Sequence, residues 1–295
     1  MGGCVRSSTT FFLHVPKTGG TSLRKMLQRR IGRDAMLEIY SWHAEQELLH
    51  ADRSTVESHR LVAGHFRVDA WQPFEDLPLI TMLREPVDRV ASHYRYGRSW
   101  DHARFHDEAR TMSLREFALA DFDRSLNNCQ THCLCAATAP LHGDELRSSP
   151  PFGGLTSRDA EEAIGYLERP NVLPGLSEAF AESVALTCIW LEIEPPSLEA
   201  ANRSTDRTGD ALDGSDRSAI AAKNALDMRV YEAACDLFWD KWRAAGDDAR
   251  RALRRLQEGP RLVPRLRSWQ EVRLRSARQR VRRFVVRHRA SGKVT

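Results

Sequence analysis

The stretch Phe11-Phe12-Leu13-His14-Val15-Pro16-Lys17-Thr18-Gly19-Gly20-Thr21-Ser22-Leu23 constrains this chain more than any other: an apolar run, a Gly/Thr/Lys turn, then an amphipathic segment. It reads as strand, anion-binding loop and helix. Phe11 to Val15 is rich in β-formers, Gly19-Gly20 lets the backbone approach a ligand closely, and Thr21-Ser22 offers a cap for a helix beginning near Leu23. The start of such a helix presents unpaired N–H groups and a positive dipole end to an anion, with Lys17 beside them. A Walker loop has Gly-x4-Gly-Lys-Ser/Thr; here the lysine precedes both glycines, so a nucleotide kinase is the weaker alternative.

Strand candidates follow at Met36 to Tyr40, Leu61 to Ala63, Leu79 to Leu83 and Asn171 to Leu176. Leu79-Ile-Thr-Met-Leu83 is the near-continuous apolar run of a strand buried on both faces of a parallel sheet. Pro86, with Val87, Val90, Ala91 and Tyr94 at helical spacing, predicts a helix over Pro86–Tyr96 and puts Arg84 at a second strand-to-helix junction. Helical patterns also cover 44–51, 114–139, 157–168 with Ser157 as cap, 178–191 and 216–245; in the last, Leu226, Val230, Ala233 and Leu237 mark the packed face. Alternating strands and helices predict an α/β fold, a P-loop-like parallel sheet flanked by helices on both faces, with a helical basic tail.

At 295 residues the chain is long enough for one large domain. Residues 250–295 carry sixteen Arg or Lys against Glu258 and Glu271, which leaves the rest net acidic. The division expected is therefore a domain over 1–249 and a basic tail over 250–295, helical or partly disordered. Leu266, Trp269, Val281, Phe284 and Val285 among the arginines suit peripheral docking to an anionic membrane or a polyanion, and too few aromatics are present to stack on nucleic acid. No run approaches a membrane span and no apolar signal core opens the chain. The six cysteines make neither a disulfide framework nor a paired zinc motif; Cys129, Cys133 and Cys135 read as buried thiols. A soluble, reduced, cytoplasmic protein is the expectation.

Both anion-loop junctions lie where parallel strands hand over to helices, along the sheet edge where α/β proteins bind ligands. Ser92 falls eight residues after Arg84, about two helical turns on, and the pair has the chemistry to grip a second phosphate. Pro16-Lys17-Thr18-Gly19-Gly20-Thr21-Ser22 resembles the 5′-phosphosulfate loop of sulfotransferases, and Arg84 with Ser92 resembles their 3′-phosphate motif. The chain is similar to the carbohydrate group that includes the heparan-sulfate and dermatan 2-O-sulfotransferases and bacterial relatives. The likeness runs through Gly64-His65, Asn128-Cys129-Gln130-Thr131 and Asn224-Ala-Leu-Asp227…Tyr231, roughly residues 9–242.

That resemblance implies sulfuryl transfer from 3′-phosphoadenosine 5′-phosphosulfate (PAPS) to a hydroxyl of a carbohydrate or other acceptor, without a metal. It implies that Lys17 neutralises charge on the leaving phosphate. The N–H groups of Thr18, Gly19, Gly20 and Thr21, with the Thr21 and Ser22 hydroxyls, would hold the 5′-phosphate, and Arg84 and Ser92 the 3′-phosphate. Asn202 to Thr205, including Ser204, occupies the position of a loop that closes over the nucleotide. His65 matches the histidine that serves as general base, with Glu45 and His43 in reserve. Ala63 departs from the pattern, standing where those enzymes carry a further histidine. A sulfotransferase-like binding module without turnover is the non-enzymatic alternative.

Overall fold

The computed structural model describes residues 9–136, 154–196 and 212–258. Ser204 and the 202–205 loop, most of the 140–154 loop and the tail beyond Glu258 lie outside the described residues. Five strands form one parallel sheet in the order β2-β3-β1-β4-β5: β1 Thr10–Leu13, β2 Met36–Ile39, β3 Leu61–Gly64, β4 Leu79–Leu83 and β5 Val172–Leu176. Central β1 and β4 are buried at every position, which explains why their sequences run apolar instead of alternating.

Between the strands come α1 Gly20–Ile31, α2 Trp42–Leu49, α3 Arg53–Glu57, α4 Val68–Trp71, α5 Pro86–Ser99, α6 His106–Thr111, α7 Leu114–Leu119, α8 Cys129–Leu134 and α9 Ser157–Glu168. After β5 follow α10 Phe180–Trp190, α11 Gly214–Lys223 and α12 Ala225–Glu258. The chain leaves β1 towards β2 but leaves β3 and β4 in the other direction. Right-handed crossovers then place α1 on one face and the helices after β3 and β4 on the other. The direction changes between β1 and β4, so the crevice at their carboxyl ends is the switch point of the sheet.

Four local expectations change. The helical pattern over 114–139 is broken into α7, a 3-10 turn at Arg124–Leu126 and α8, because Asp123 caps the turn and Asn128 enters the left-handed region at φ 48. Helix α9 is capped by Thr156, not Ser157, in a reciprocal box with Asp159. The helix expected over 216–245 is two, parted at Asn224. Its packed face also sits one position over: Asp227, Val230, Tyr231, Ala234 and Phe238 are buried, and Leu226 and Leu237 are only partly so. The stripe is harder to read because two of its members, Asp227 and Tyr231, are polar.

Helix α12 bends at Gly246, whose φ is 52. Beyond the bend Ala249, Ala252 and Leu256 rejoin the main core, so the packed part of the chain continues through residue 249 to Glu258. No helix among the described residues is long and apolar enough to cross a membrane.

Candidate functional site

The loop after β1 is held in an uncommon shape. Lys17 adopts φ 69 and Gly19 φ 86, both left-handed; for a lysine this is a sparsely populated region that needs support. The support comes from three sides. Thr18 Oγ1 donates to Val15 O at 2.8 Å, Arg84 Nη1 donates to Lys17 O at 3.3 Å, and Ser177, just after β5, donates through its hydroxyl to Thr18 O.

Helix α1 begins at Gly20 with Gly19 as its N-cap, and no side chain caps it. Thr21 and Ser22 are therefore not caps. They sit in the first turn, where Ser22 N–H already bonds Gly19 O at 3.1 Å, Thr21 is exposed and Ser22 half-buried. A helix start capped by no side chain leaves first-turn donors for a ligand. Gly20 must lack a side chain for a second reason: a Cβ there would lie 2.1 Å from His14 Cδ2.

The second junction faces this loop. Glu85 caps α5 by accepting from Asp88 N–H at 2.7 Å, and Arg217 of α11 bridges Glu85 and Asp88 at 3.2 Å each. Those two carboxylates are thus already engaged and do not neutralise Arg84. Ser92 stands four residues before Tyr96 on α5, hence on the same helix face. The Lys17 ammonium lies 3.8 Å from the centre of the Tyr96 ring, which brings the first loop onto the face that carries Ser92.

Three cations meet at this crevice. Burial, then the charge of Arg84 and that of Arg89, brings Lys17 down to about 8. Arg89, fully buried on α5, donates Nη2 to Ser125 O, while its Nε and Nη1 have no hydrogen-bond partner. Among the described residues, no carboxylate forms a contact ion pair with Lys17, Arg84 or Arg89; Glu178 acts on Arg84 and Asp227 on Arg89 through charge alone. Clustered, partly desolvated cations are costly until an anion joins them, and the donor set fits a phosphate or sulfate.

On the other side of β1 three rings come together for a reason visible in the register. Leu13, Gly64 and Ile39 are level across β1, β3 and β2, so the next residues, His14, His65 and Tyr40, point to one face. The rings of His14 and His65 are 4.4 Å apart; Tyr40 meets His65 edge-on at 4.9 Å and places its hydroxyl 3.0 Å from His14 Nδ1. His65 Nδ1 lies 2.5 Å from the His14 carbonyl oxygen. A carbonyl only accepts, so Nδ1 carries a proton, and in the neutral imidazole the lone pair is on Nε2. Burial first, then His65, Arg24 and Lys17, lower His14 well below the usual imidazole range and keep it neutral.

Both reserve bases have partners of their own. Glu45 is buried and accepts the Arg67 N–H at 3.2 Å, bracing the segment just after His65, while His43 is an exposed partner of Glu47. His93 is packed against Phe105 with Nε2 2.8 Å from Ser125 Oγ. Cys129, Cys133 and Cys135, on α8 and its end, are buried and form no disulfide.

Sequence reasoning missed His14, Tyr40, Tyr96, Arg89 and Ser177. For His14 and Tyr40 a signal existed: each stands at the end of a predicted strand, as His65 does. No family model matches the chain, and no curated protein sequence does. Among solved structures it is similar to a sulfotransferase from Alicyclobacillus acidocaldarius, with 18% identity over 80% of this chain and 98% of that one and a TM-score of 0.43. It is also similar to mouse sulfotransferase SULT7A1 complexed with PAP, with 14% identity over 77% of this chain and 66% of that one and a TM-score of 0.38.

Proposed function

We propose that the protein is a sulfotransferase that moves a sulfuryl group from PAPS to a hydroxyl, on a carbohydrate acceptor, with His65 as general base. One observation carries this reading: Lys17, Arg84 and Arg89 converge at the switch point between β1 and β4 with no ion-paired carboxylate among the described residues, beside a helix start capped by no side chain. PAPS, when bound, supplies the transferable sulfuryl group on its 5′-phosphate and a second phosphate at the 3′ position.

The first-turn N–H groups and the Thr21 and Ser22 hydroxyls hold the 5′ end. Lys17 stabilises the negative charge that grows on the leaving phosphate, in a site where burial makes each donor worth more than in water. Arg84 and Ser92 hold the 3′-phosphate, the group that separates this donor from ATP. His65, with its lone pair on Nε2, takes the proton from the attacking hydroxyl.

Calorimetry and transfer assays test the reading together. Adenosine 3′,5′-bisphosphate should bind without a metal and more tightly than ATP with Mg²⁺, and labelled PAPS should pass its sulfur to extracted glycans as a one-sulfuryl mass gain. Tighter binding of ATP with Mg²⁺ and none of the bisphosphate would instead favour a kinase. Bisphosphate binding with no transfer to any acceptor would favour a module without turnover.

Lys17 also makes binding depend on pH. Bound anion favours the ammonium, so affinity for the bisphosphate should be flat from pH 7 to about 8, then fall as the free protein loses the Lys17 proton. The fall should approach about tenfold per pH unit. Titrations between pH 7 and 9.5 read this directly, and the slope should vanish in Lys17→Met.

A further inference from the structure

The Arg84 backbone is gripped by a side chain from a distant segment. Gln130 Oε1 accepts the Arg84 N–H at 2.9 Å, and Gln130 Nε2 donates to the Arg84 carbonyl at 2.9 Å. The primary amide thus acts as a one-residue strand partner where β4 ends, which fixes both main-chain groups of the residue that bears the guanidinium. Gln130 is itself held from α12. Asp227, fully buried, accepts the Gln130 N–H at 3.1 Å, the Thr131 N–H at 2.7 Å and the Thr131 hydroxyl at 2.8 Å. Asn128 and Asn224 close the contact in both directions: Asn128 Oδ1 accepts the N–H groups of Leu226 and Asp227, and Asn224 Oδ1 accepts the Asn128 N–H. A parallel chain runs from Tyr231 OH to Glu178 at 2.8 Å and from the Glu85 N–H to the same carboxylate at 3.1 Å. Every link is an N–H or O–H aimed at a buried or partly buried acceptor, the kind of network that fixes one geometry because a half-made version is costly.

At the end of this network the guanidinium reaches the Lys17 carbonyl. Its position therefore sets the spacing between the two anion subsites. We propose that Gln130, anchored by Asp227, is a positioning residue that holds Arg84 at the separation matching a 3′-phosphate to the 5′ loop, and so determines the preference for 3′-phosphorylated nucleotides. The inference rests on the donor reading above and adds to it a selectivity determinant 46 residues from the arginine it controls.

The test compares adenosine 3′,5′-bisphosphate with 5′-AMP by calorimetry on the full chain, in wild type, Gln130→Ala and Gln130→Met. Methionine keeps the length of the side chain and removes both hydrogen bonds. The wild type should prefer the bisphosphate. Both variants should lose about tenfold of that preference, with the 5′-AMP affinity, which reports the first loop, falling far less because Thr18 and Ser177 still pin that loop. A merely structural role would weaken both nucleotides together and leave their ratio as it was, and that result would overturn the inference. So would failure of both variants to fold, which would make the clamp a requirement of the fold and not of selectivity. A wild type without preference for the bisphosphate would instead remove the 3′-subsite reading beneath it.

Discussion

Lys17→Ala should lower sulfuryl transfer by about 10²–10³-fold, the usual effect of removing one preorganised donor from a developing oxyanion. The chain should still fold, because the lysine is only half-buried and the loop is pinned by bonds that do not involve its side chain: Thr18 to Val15, Arg84 to the Lys17 carbonyl, and Ser177 to the Thr18 carbonyl. The change removes the Lys17 ammonium while keeping the guanidinium groups of Arg84 and Arg89. The loss should therefore fall mainly on kcat, with a smaller loss in bisphosphate affinity, since charge on the leaving phosphate is larger in the transition state than in the ground state. Lys17→Arg should restore binding better than turnover, because a planar fork does not replace a compact ammonium lying 3.8 Å over the Tyr96 ring. Transfer that survives Lys17→Ala at the wild-type rate would end the sulfotransferase assignment.

His65→Ala should cost about 10²–10⁴-fold in kcat, the range expected when a positioned base is removed. Bisphosphate affinity should stay within about threefold, because none of the donor contacts passes through the imidazole. The contrast with Lys17→Ala is what identifies a base: one variant loses turnover alone, the other loses turnover and some donor binding. His65→Gln is the sharper form of the experiment, since its amide can keep a hydrogen bond to the His14 carbonyl while offering no basic nitrogen. Full turnover in either His65 variant, with Glu45→Gln inactive, would move the base to Glu45, although that carboxylate now braces the Arg67 backbone.

The fold was legible because buried parallel strands leave an unambiguous trace. All five strands and the helices that follow β1 and β4 lie close to where apolar runs, Gly-Gly and Pro86 put them. What escaped were boundaries decided by polar contacts between distant residues. Asn128 turns into the left-handed region and Asp123 caps a short turn, which splits a stretch whose composition reads as one helix. Asp227 and Tyr231 occupy the packed face of α12 because Gln130, Thr131 and Glu178 satisfy them there; periodicity ranks them as surface. The two loops of the site were visible as motifs, whereas Arg89 was not, since an arginine on a helix gives no sign that it will be fully buried. The His14, Tyr40 and His65 assembly depends on strand order and register, neither of which a single apolar run reveals.

Strand β1 divides the labour of the site. To one side of it, the end of β4 contributes Arg84 and, through α5, Ser92, both proposed to hold the nucleotide; to the other, the ends of β3 and β2 contribute His65, the proposed base, and Tyr40. On the proposed reading, substitutions at the ends of β2 and β3 should act first on the acceptor, with His14, which lies against Gly20, as their link to the donor loop. Ala63, where the sequence departs from the 2-O-sulfotransferase pattern that it resembles, lies on β3, on the acceptor side of that division.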